Sequence, residues 1–231
     1  MFPTINRARG YFLYTSDGKR YLDMSLDDGA LLMGHRQDGF AQALKNAADK
    51  GLFVPYPSPF EYRFKQALKS LFGEGRYIYL VQKMNKLLLE LPEWRPFEDF
   101  RNLDAFVPVL PIPSAFAPCV VVSDKELEVE EVAVSPVILA GAVKVVYNLE
   151  KFLETADYSM WQDASVMSVL ENFWKVRIPY LYPAVDKGSY CDLLKVCLAN
   201  GIVLSPDYDK PSVVPANISN GMLNKVLRCF E

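Results

Sequence analysis

The stretch from Gly10 to Arg36 constrains the fold of this chain more than any other part. Tyr11 to Tyr14 is aromatic-rich and strand-like. Ser16-Asp17-Gly18-Lys19 has the composition of a tight turn, and Arg20 to Met24 can return as a second strand. An Asp-Gly pair supplies the positive-φ positions that a hairpin turn needs. An apolar run, Ala30-Leu31-Leu32-Met33, follows and ends at Gly34-His35. The stretch is predicted to be a β-ribbon.

Helix and strand signals alternate along the rest of the chain. Asp38 can cap a helix through Phe40, Leu44 and Ala47/Ala48, with Lys50-Gly51 at its end. Prolines at 55, 57 and 59 keep the chain from Leu52 to Pro57 extended. Ser58-Pro59-Phe60-Glu61 has the order of a capping box with proline at the first helical position, and Gly73 closes that helix. Arg76 to Val81 reads as a strand. Lys83 to Leu91 reads as a helix with Met84, Leu87, Leu88 and Leu91 on one side. Prolines recur from Pro92 to Pro118, so that passage is a junction in which any strand is short or at an edge, Val120-Val121-Val122 being the most strand-like part.

Ser135-Pro136 opens a long helix with an apolar stripe through Leu139, Val143, Val146 and Leu153. A second helix is predicted from Tyr158 to Trp174, packed against the first. Ile178 to Tyr182 reads as a strand, Ser189 to Asn200 as a helix, and Ile202-Val203-Leu204 and Val213-Val214 as short strands around the polar loop Ser205 to Asp209. Ser219 can cap a last helix through Met222, Val226 and Phe230.

Composition sets outer bounds. Hydrophobic residues make up 51% of the 231 and charged residues 23%, the balance of a globular chain. A net charge of −3 gives no footprint for nucleic acid. No apolar run spans a bilayer, and Met1 to Arg7 lacks the pattern of a signal peptide, so the expected location is cytoplasmic. The cysteines at 119, 191, 197 and 229 do not make a disulfide scaffold in a chain of this length and are expected to be small buried groups. One histidine and scattered thiols leave no metal site.

Two segments together resemble a known family. The order Gly-x-x-(Leu/Tyr)…Asp-Gly-(Lys/Arg)-x-Tyr-(Leu/Ile)-Asp, a small-residue apolar stretch and then Gly-His is carried here by Gly10, Asp17-Gly18-Lys19, Tyr21-Leu22-Asp23 and Gly34-His35. It resembles the N-terminal segment of class III aminotransferases, fold-type I enzymes that use pyridoxal phosphate (PLP) and include glutamate-1-semialdehyde aminomutase. Near the other end, a helix, Gly201-Ile202-Val203-Leu204-Ser205-Pro206, a loop and a closing helix resemble that family's C-terminal small domain. The resemblance covers roughly residues 8–80 and 176–231.

The resemblance implies a lysine for the Schiff base, an acid at the pyridinium nitrogen and a small-residue turn for the phosphate. After the strand ending at Val81 this chain has Gln82-Lys83-Met84-Asn85, without glycine. Glu130-Glu131-Val132 lacks the glycine that follows the family's acidic motif. Lys83, Lys86, Lys144 and Lys187 have no Gly-Lys pair. A nucleophile elbow, a dinucleotide fingerprint and a P-loop are also absent. Asp23, Asp27 and Asp28 read as a solvated turn rather than a cation site.

The expected fold is therefore α+β. A small mixed or antiparallel sheet is formed by the N-terminal ribbon and the C-terminal strands, with packed helices, over segments 1–95, 96–134 and 135–231 that make one compact unit. The expected function is that of a shortened, degenerate and non-catalytic aminotransferase-like protein, a binding or subunit-interaction module with no cofactor. It would form a homodimer or pair with a complete aminotransferase, with no nucleic-acid or membrane partner. The alternatives are a PLP-dependent transaminase or aminomutase using an unrecognised lysine, and a small-ligand (amino acid or phosphate) binding domain. Gly34, His35 and Ser205 are the candidate pocket residues, with no catalytic or metal-binding residue assigned.

Overall fold

The computed structural model describes residues 3–54, 56–83 and 86–230, with the side chain of Leu87 outside that set. Met1, Phe2, Pro55, Met84 and Asn85 and the Leu87 side chain, all used in the sequence-based expectations, lie outside the described residues. The chain divides into two compact units, one of residues 1–36 and 155–231, the other of residues 37–154. These boundaries differ from those drawn from sequence at 95 and 134.

The first unit begins with β1 (Ile5–Arg9), β2 (Phe12–Thr15) and β3 (Arg20–Asp23). The β2–β3 hairpin falls where the sequence puts it, with Tyr14 opposite Arg20. Gly18 alone takes a positive φ, +83°, while Thr15 closes the loop by accepting the Lys19 amide on its hydroxyl at 3.0 Å. β1 adds a strand the sequence hides, because Ile5-Asn6-Arg7-Ala8-Arg9 is too polar to alternate. Instead, the Arg7 guanidinium lies 4.2 Å over the Tyr14 ring.

The unit resumes with α5 (Ala164–Leu170), β8 (Trp174–Arg177), β9 (Tyr180–Pro183), α6 (Lys187–Ala199), β10 (Ile202–Val203), β11 (Ser212–Val213) and α7 (Asn220–Leu227). β10 pairs in parallel with β3, Ile202 opposite Leu22, so the ribbon and a C-terminal strand share one sheet in the order β1-β2-β3-β10. The other C-terminal strands form a separate sheet, β11-β9-β8. The helix expected from Tyr158 to Trp174 shortens to α5, and Trp174 instead opens β8. Asp186 caps α6, accepting the amides of Gly188 and Ser189. Ser219 caps α7 as expected.

The second unit contains α1 (Phe40–Ala48), α2 (Pro59–Phe72), β4 (Tyr77–Val81), α3 (Leu87–Glu90), β5 (Glu93–Trp94), β6 (Ala105–Pro108), β7 (Cys119–Ser123) and all but the last residue of α4 (Pro136–Thr155). Its sheet runs β4-β7-β6-β5. Phe72, Trp94, Phe100 and Phe106 make a cluster of edge-on rings, with Phe72 and Trp94 centroids 4.9 Å apart. Two predicted caps differ. Gly39 rather than Asp38 is the N-cap of α1, where the Lys144 stem fills the space a Cβ would need. Ser58 precedes α2 but makes no side-chain capping bond, and Glu61 pairs with Lys65 at 3.3 Å instead of closing the box. The helix expected over 83–91 is the single turn α3. Because α4 and α5 fall in different units, the expected helical pair is divided between them. Among the described residues, no helix is long and apolar enough to cross a membrane.

Candidate functional site

The candidate site lies in the first unit, where β3 ends. Four consecutive residues, Leu26, Asp27, Asp28 and Gly29, have φ of 45°, 57°, 56° and 81°, a left-handed turn closed by the Gly29 amide on Ser25 O at 2.8 Å. L-residues avoid this conformation at about 1–2 kcal/mol each, so surrounding contacts have to hold it. Asp23 holds its start: Oδ1 accepts the amides of Ser25 and Leu26 at 3.0 and 3.1 Å. Leu26 anchors its apolar side, with 0% exposure.

His35 reaches the other oxygen of Asp23, with Nε2 at 2.8 Å from Oδ2, and both side chains are largely buried. Its backbone exchanges hydrogen bonds with Gly10 at 2.7 and 3.2 Å. This contact explains Gly34: at φ +79° a Cβ there would sit 2.7 Å from Gly10 O. Ser205 supports the far end of the left-handed turn. Its hydroxyl donates to Asp28 Oδ1 at 3.1 Å, its amide donates to Ser212 Oγ at 2.9 Å, and its carbonyl accepts the Tyr190 hydroxyl at 2.7 Å. Burial pushes the Tyr190 hydroxyl up to about 12, so it remains a donor.

The three sequence-derived candidates thus lie in one unit, with His35 and Ser205 each tied to an aspartate of the same segment and Gly34 permitting the Gly10 contact. The sequence places Asp23 in the family-like Tyr21-Leu22-Asp23 motif and reads it with Asp28 as a solvated turn, with no side-chain role for either; Asp23 is in fact 5% exposed. Their side-chain roles depend on a left-handed turn that no local pattern announces. Among the described residues, no group of three or more histidine, cysteine, aspartate or glutamate side chains could hold a metal ion. A cavity of about 410 Å³ opens beside this network, between α6 and the sheet. Leu13, Val203, Leu194 and Leu198 make its apolar wall, while Asp23 and Ser25 bring polar atoms to it.

In the second unit, β4 and the turn after it are where the resemblance would put the phosphate of PLP. A phosphate needs free amides at the start of a sustained helix. Here β4 leads to α3, a helix of one turn, and Lys83 Nζ donates to Ser114 O at 2.9 Å. Glu131 serves the edge of β4: its Oε1 accepts the Leu80 amide at 3.0 Å and Lys65 Nζ at 2.6 Å. Such a contact covers an otherwise open strand edge. Lys144 lays its stem over Gly39, and Lys187, in the first unit, stands 5.2 Å over the Tyr208 ring. Lys83, Glu131, Lys144 and Lys187 are thus each engaged in contacts within the protein.

No protein-family model matches the chain. An uncharacterised protein of Borreliella burgdorferi is 28% identical over 250 residues, covering 99% of this chain and 90% of that protein. A glutamate-1-semialdehyde 2,1-aminomutase of Hyperthermus butylicus is 33% identical over 77 residues, 33% of this chain and 18% of that enzyme. Among solved structures, Plasmodium falciparum ornithine δ-aminotransferase matches with a TM-score of 0.70 at 13% identity, covering 99% of this chain and 91% of the other. At that identity the likeness is one of fold, and the fold of this chain is that of the class III aminotransferases.

Proposed function

We propose that this chain is a reduced, non-catalytic protein of the aminotransferase fold that acts by binding, as a subunit pairing with a second copy of itself. The observation that carries this reading is that no lysine is among the buried residues described. A Schiff-base lysine is tuned by a desolvated pocket. The lysines considered from sequence and resolved in contacts serve as a carbonyl donor, a covering stem and a ring contact instead. Glu131, in the Glu130-Glu131-Val132 segment that lacks the family's glycine, closes a strand edge.

An absorbance scan of the purified protein with added PLP tests the catalytic alternative. The expected spectrum is that of free PLP, with no label after borohydride. A borohydride-fixed internal aldimine overturns the proposal and establishes a PLP enzyme. Sedimentation velocity tests the pairing, with a dimer expected. A monomer that co-purifies with a complete aminotransferase would replace self-pairing with hetero-pairing.

A second reading, a small-ligand site, is favoured by the cavity beside Asp23 and Ser25. Apolar walls with a few convergent polar groups are the usual form of such sites. A thermal-shift screen with amino acids, keto acids and phosphates checks it, and an unchanged melting curve with every compound removes it.

A further inference from the structure

One face of the N-terminal ribbon collects arginines around two rings. Arg7 and Arg9 alternate along β1, opposite Tyr14 and Phe12 of β2, and Arg20 of β3 stands opposite Tyr14 from the other side. Residues paired across adjacent strands share a face of the sheet. Two of the guanidiniums lean over the middle strand, Arg7 at 4.2 Å over the Tyr14 ring and Arg20 at 4.5 Å over the Phe12 ring. A ring holds such a side chain in place without neutralising it. Arg7, Arg9 and Arg20 are all exposed. Among the described residues, the ion pairs of this ribbon join Lys19 to Asp17 and His35 to Asp23, and none includes these arginines.

The second unit carries the opposite charge on the segment that follows β7. That segment is tied down beside β4: the Leu127 amide donates to the Tyr79 hydroxyl at 2.8 Å, and the Val132 amide donates to Leu80 O at 2.9 Å. Between these ties the Val129 amide donates to Leu127 O at 3.1 Å, which puts Glu128 at the apex of a tight turn. Leu127 and Val129 are half-buried, whereas Glu126, Glu128 and Glu130 are exposed. Asp124 pairs with Arg76, Lys125 with Asp104 and Glu131 with Lys65. Among the described residues, no cation pairs with Glu126, Glu128 or Glu130.

We propose that the arginine face of one copy of this chain binds the Glu126–Glu130 segment of a second copy, guanidinium to carboxylate. The proposal rests on the self-pairing reading and gives that pairing its surface. Charge complementarity selects the occupant, since cations held by rings and left without acids match acids held by backbone ties and left without cations. Arginine suits the task because its planar fork grips a carboxylate through parallel N–H···O bonds. Exposed ion pairs are weak one by one, so the contact depends on their number and on ionic strength. A single-stranded oligonucleotide is the competing polyanion for arginines beside rings.

The test uses the full chain in sedimentation velocity at about 50 and about 500 mM NaCl. A dimer is expected at low salt, its dissociation constant rising about tenfold or more at high salt. R7E/R9E/R20E and E126K/E128K/E130K should each sediment as monomers at low salt, and an equimolar mixture of the two should regain the dimer. Loss of Arg7 also uncovers Tyr14, so Arg9→Lys, which keeps the charge, supplies a second readout. Treated with a carbodiimide, a mixture of isotopically light and heavy chains of that variant should give mixed-label peptides joining position 9 to Glu126, Glu128 or Glu130. A dimer indifferent to salt and to both triple variants overturns this surface and leaves self-pairing standing. A wild-type monomer at low salt overturns both. Cross-links confined to one chain overturn the proposal. So does oligothymidine binding that R7E/R9E/R20E abolishes while its dimer persists, which assigns the face to nucleic acid.

Discussion

The imidazole of His35 and the carboxylate of Asp23 meet at 2.8 Å, twelve positions apart in sequence, and the carboxylate oxygen that the histidine leaves free accepts two backbone amides. One acid thereby fixes the only histidine and the first residues of a left-handed turn.

Replacing Asp23 tests that double role. Asp23→Ala removes every acceptor at once and leaves two amides in a largely buried setting, a loss of about 2–4 kcal/mol in unfolding free energy. His35→Ala leaves the amide bonds in place and should cost about 1–2 kcal/mol. Urea denaturation of both single variants and the double variant measures the coupling. Additive losses would show that the histidine contact is incidental.

Gly34 carries two demands, a positive φ and close backbone contact. Gly34→Ala should lose about 2–4 kcal/mol. Gly18→Ala, where φ is +83° but nothing lies within 4 Å, pays for conformation alone, about 1–2 kcal/mol. Thermal unfolding of the pair checks the difference, and equal losses would remove the steric part of the explanation.

Acid should loosen the starts of α5 and α6. Ser165 and Ser189, through hydroxyl and backbone bonds, hold the carboxyls of Asp163 and Asp186 below the usual aspartate range. A carboxyl whose folded value is depressed contributes fully above its unfolded value of about 4. That contribution disappears as pH falls through the folded value. Asp186→Asn keeps a capping side chain without the titration. Its urea midpoint should therefore fall less than that of the wild type between neutral pH and pH 3.

In the second unit, α1 and α4 meet at Gly141, where an added Cβ would lie 2.6 Å from Phe40 Cε2 and 3.0 Å from a Leu44 methyl. Gly141→Val should overpack this contact and lower stability by about 1–3 kcal/mol. Gly141→Ala should cost less, as the Phe40 ring can rotate. Urea unfolding of both variants gives the order.

What the sequence discloses and what it withholds follow physical lines. Asp17-Gly18 and the aromatic strands beside it are a local signal, and the β2–β3 hairpin falls within a residue of its expected position. Ser219 caps α7 for the same reason. The polar strand β1 escapes because Arg7 stabilises it by covering Tyr14, a contact with no local signature. The aromatic spacing of the preceding helix runs on to Trp174 in the sequence. However, Trp174-Lys175-Val176-Arg177 alternates with period two, with Trp174 buried and Lys175 exposed, and that alternation is the signal for β8. At the site, Gly34-His35 was conspicuous, but the work of Asp23 was not, since a carboxylate that caps a left-handed turn looks in sequence like any acidic loop residue. Glu131 is a similar case. Its role is set by Leu80, across 51 positions.

The parallel pairing of β3 with β10 has a consequence for the order in which the molecule is built. Leu22 meets Ile202 only after about 180 further residues have been synthesised. The unit of residues 37–154 is continuous and can close while the chain is still being made, whereas the early ribbon has to wait with its last ladder position open. A waiting strand edge invites pairing with other chains, so the interval before β10 arrives is when this protein is most exposed to misassembly. Linking residue 231 to residue 1 and opening the chain inside the other unit would shorten that interval, and such a permuted protein would fold with its ribbon and closing strand as near neighbours.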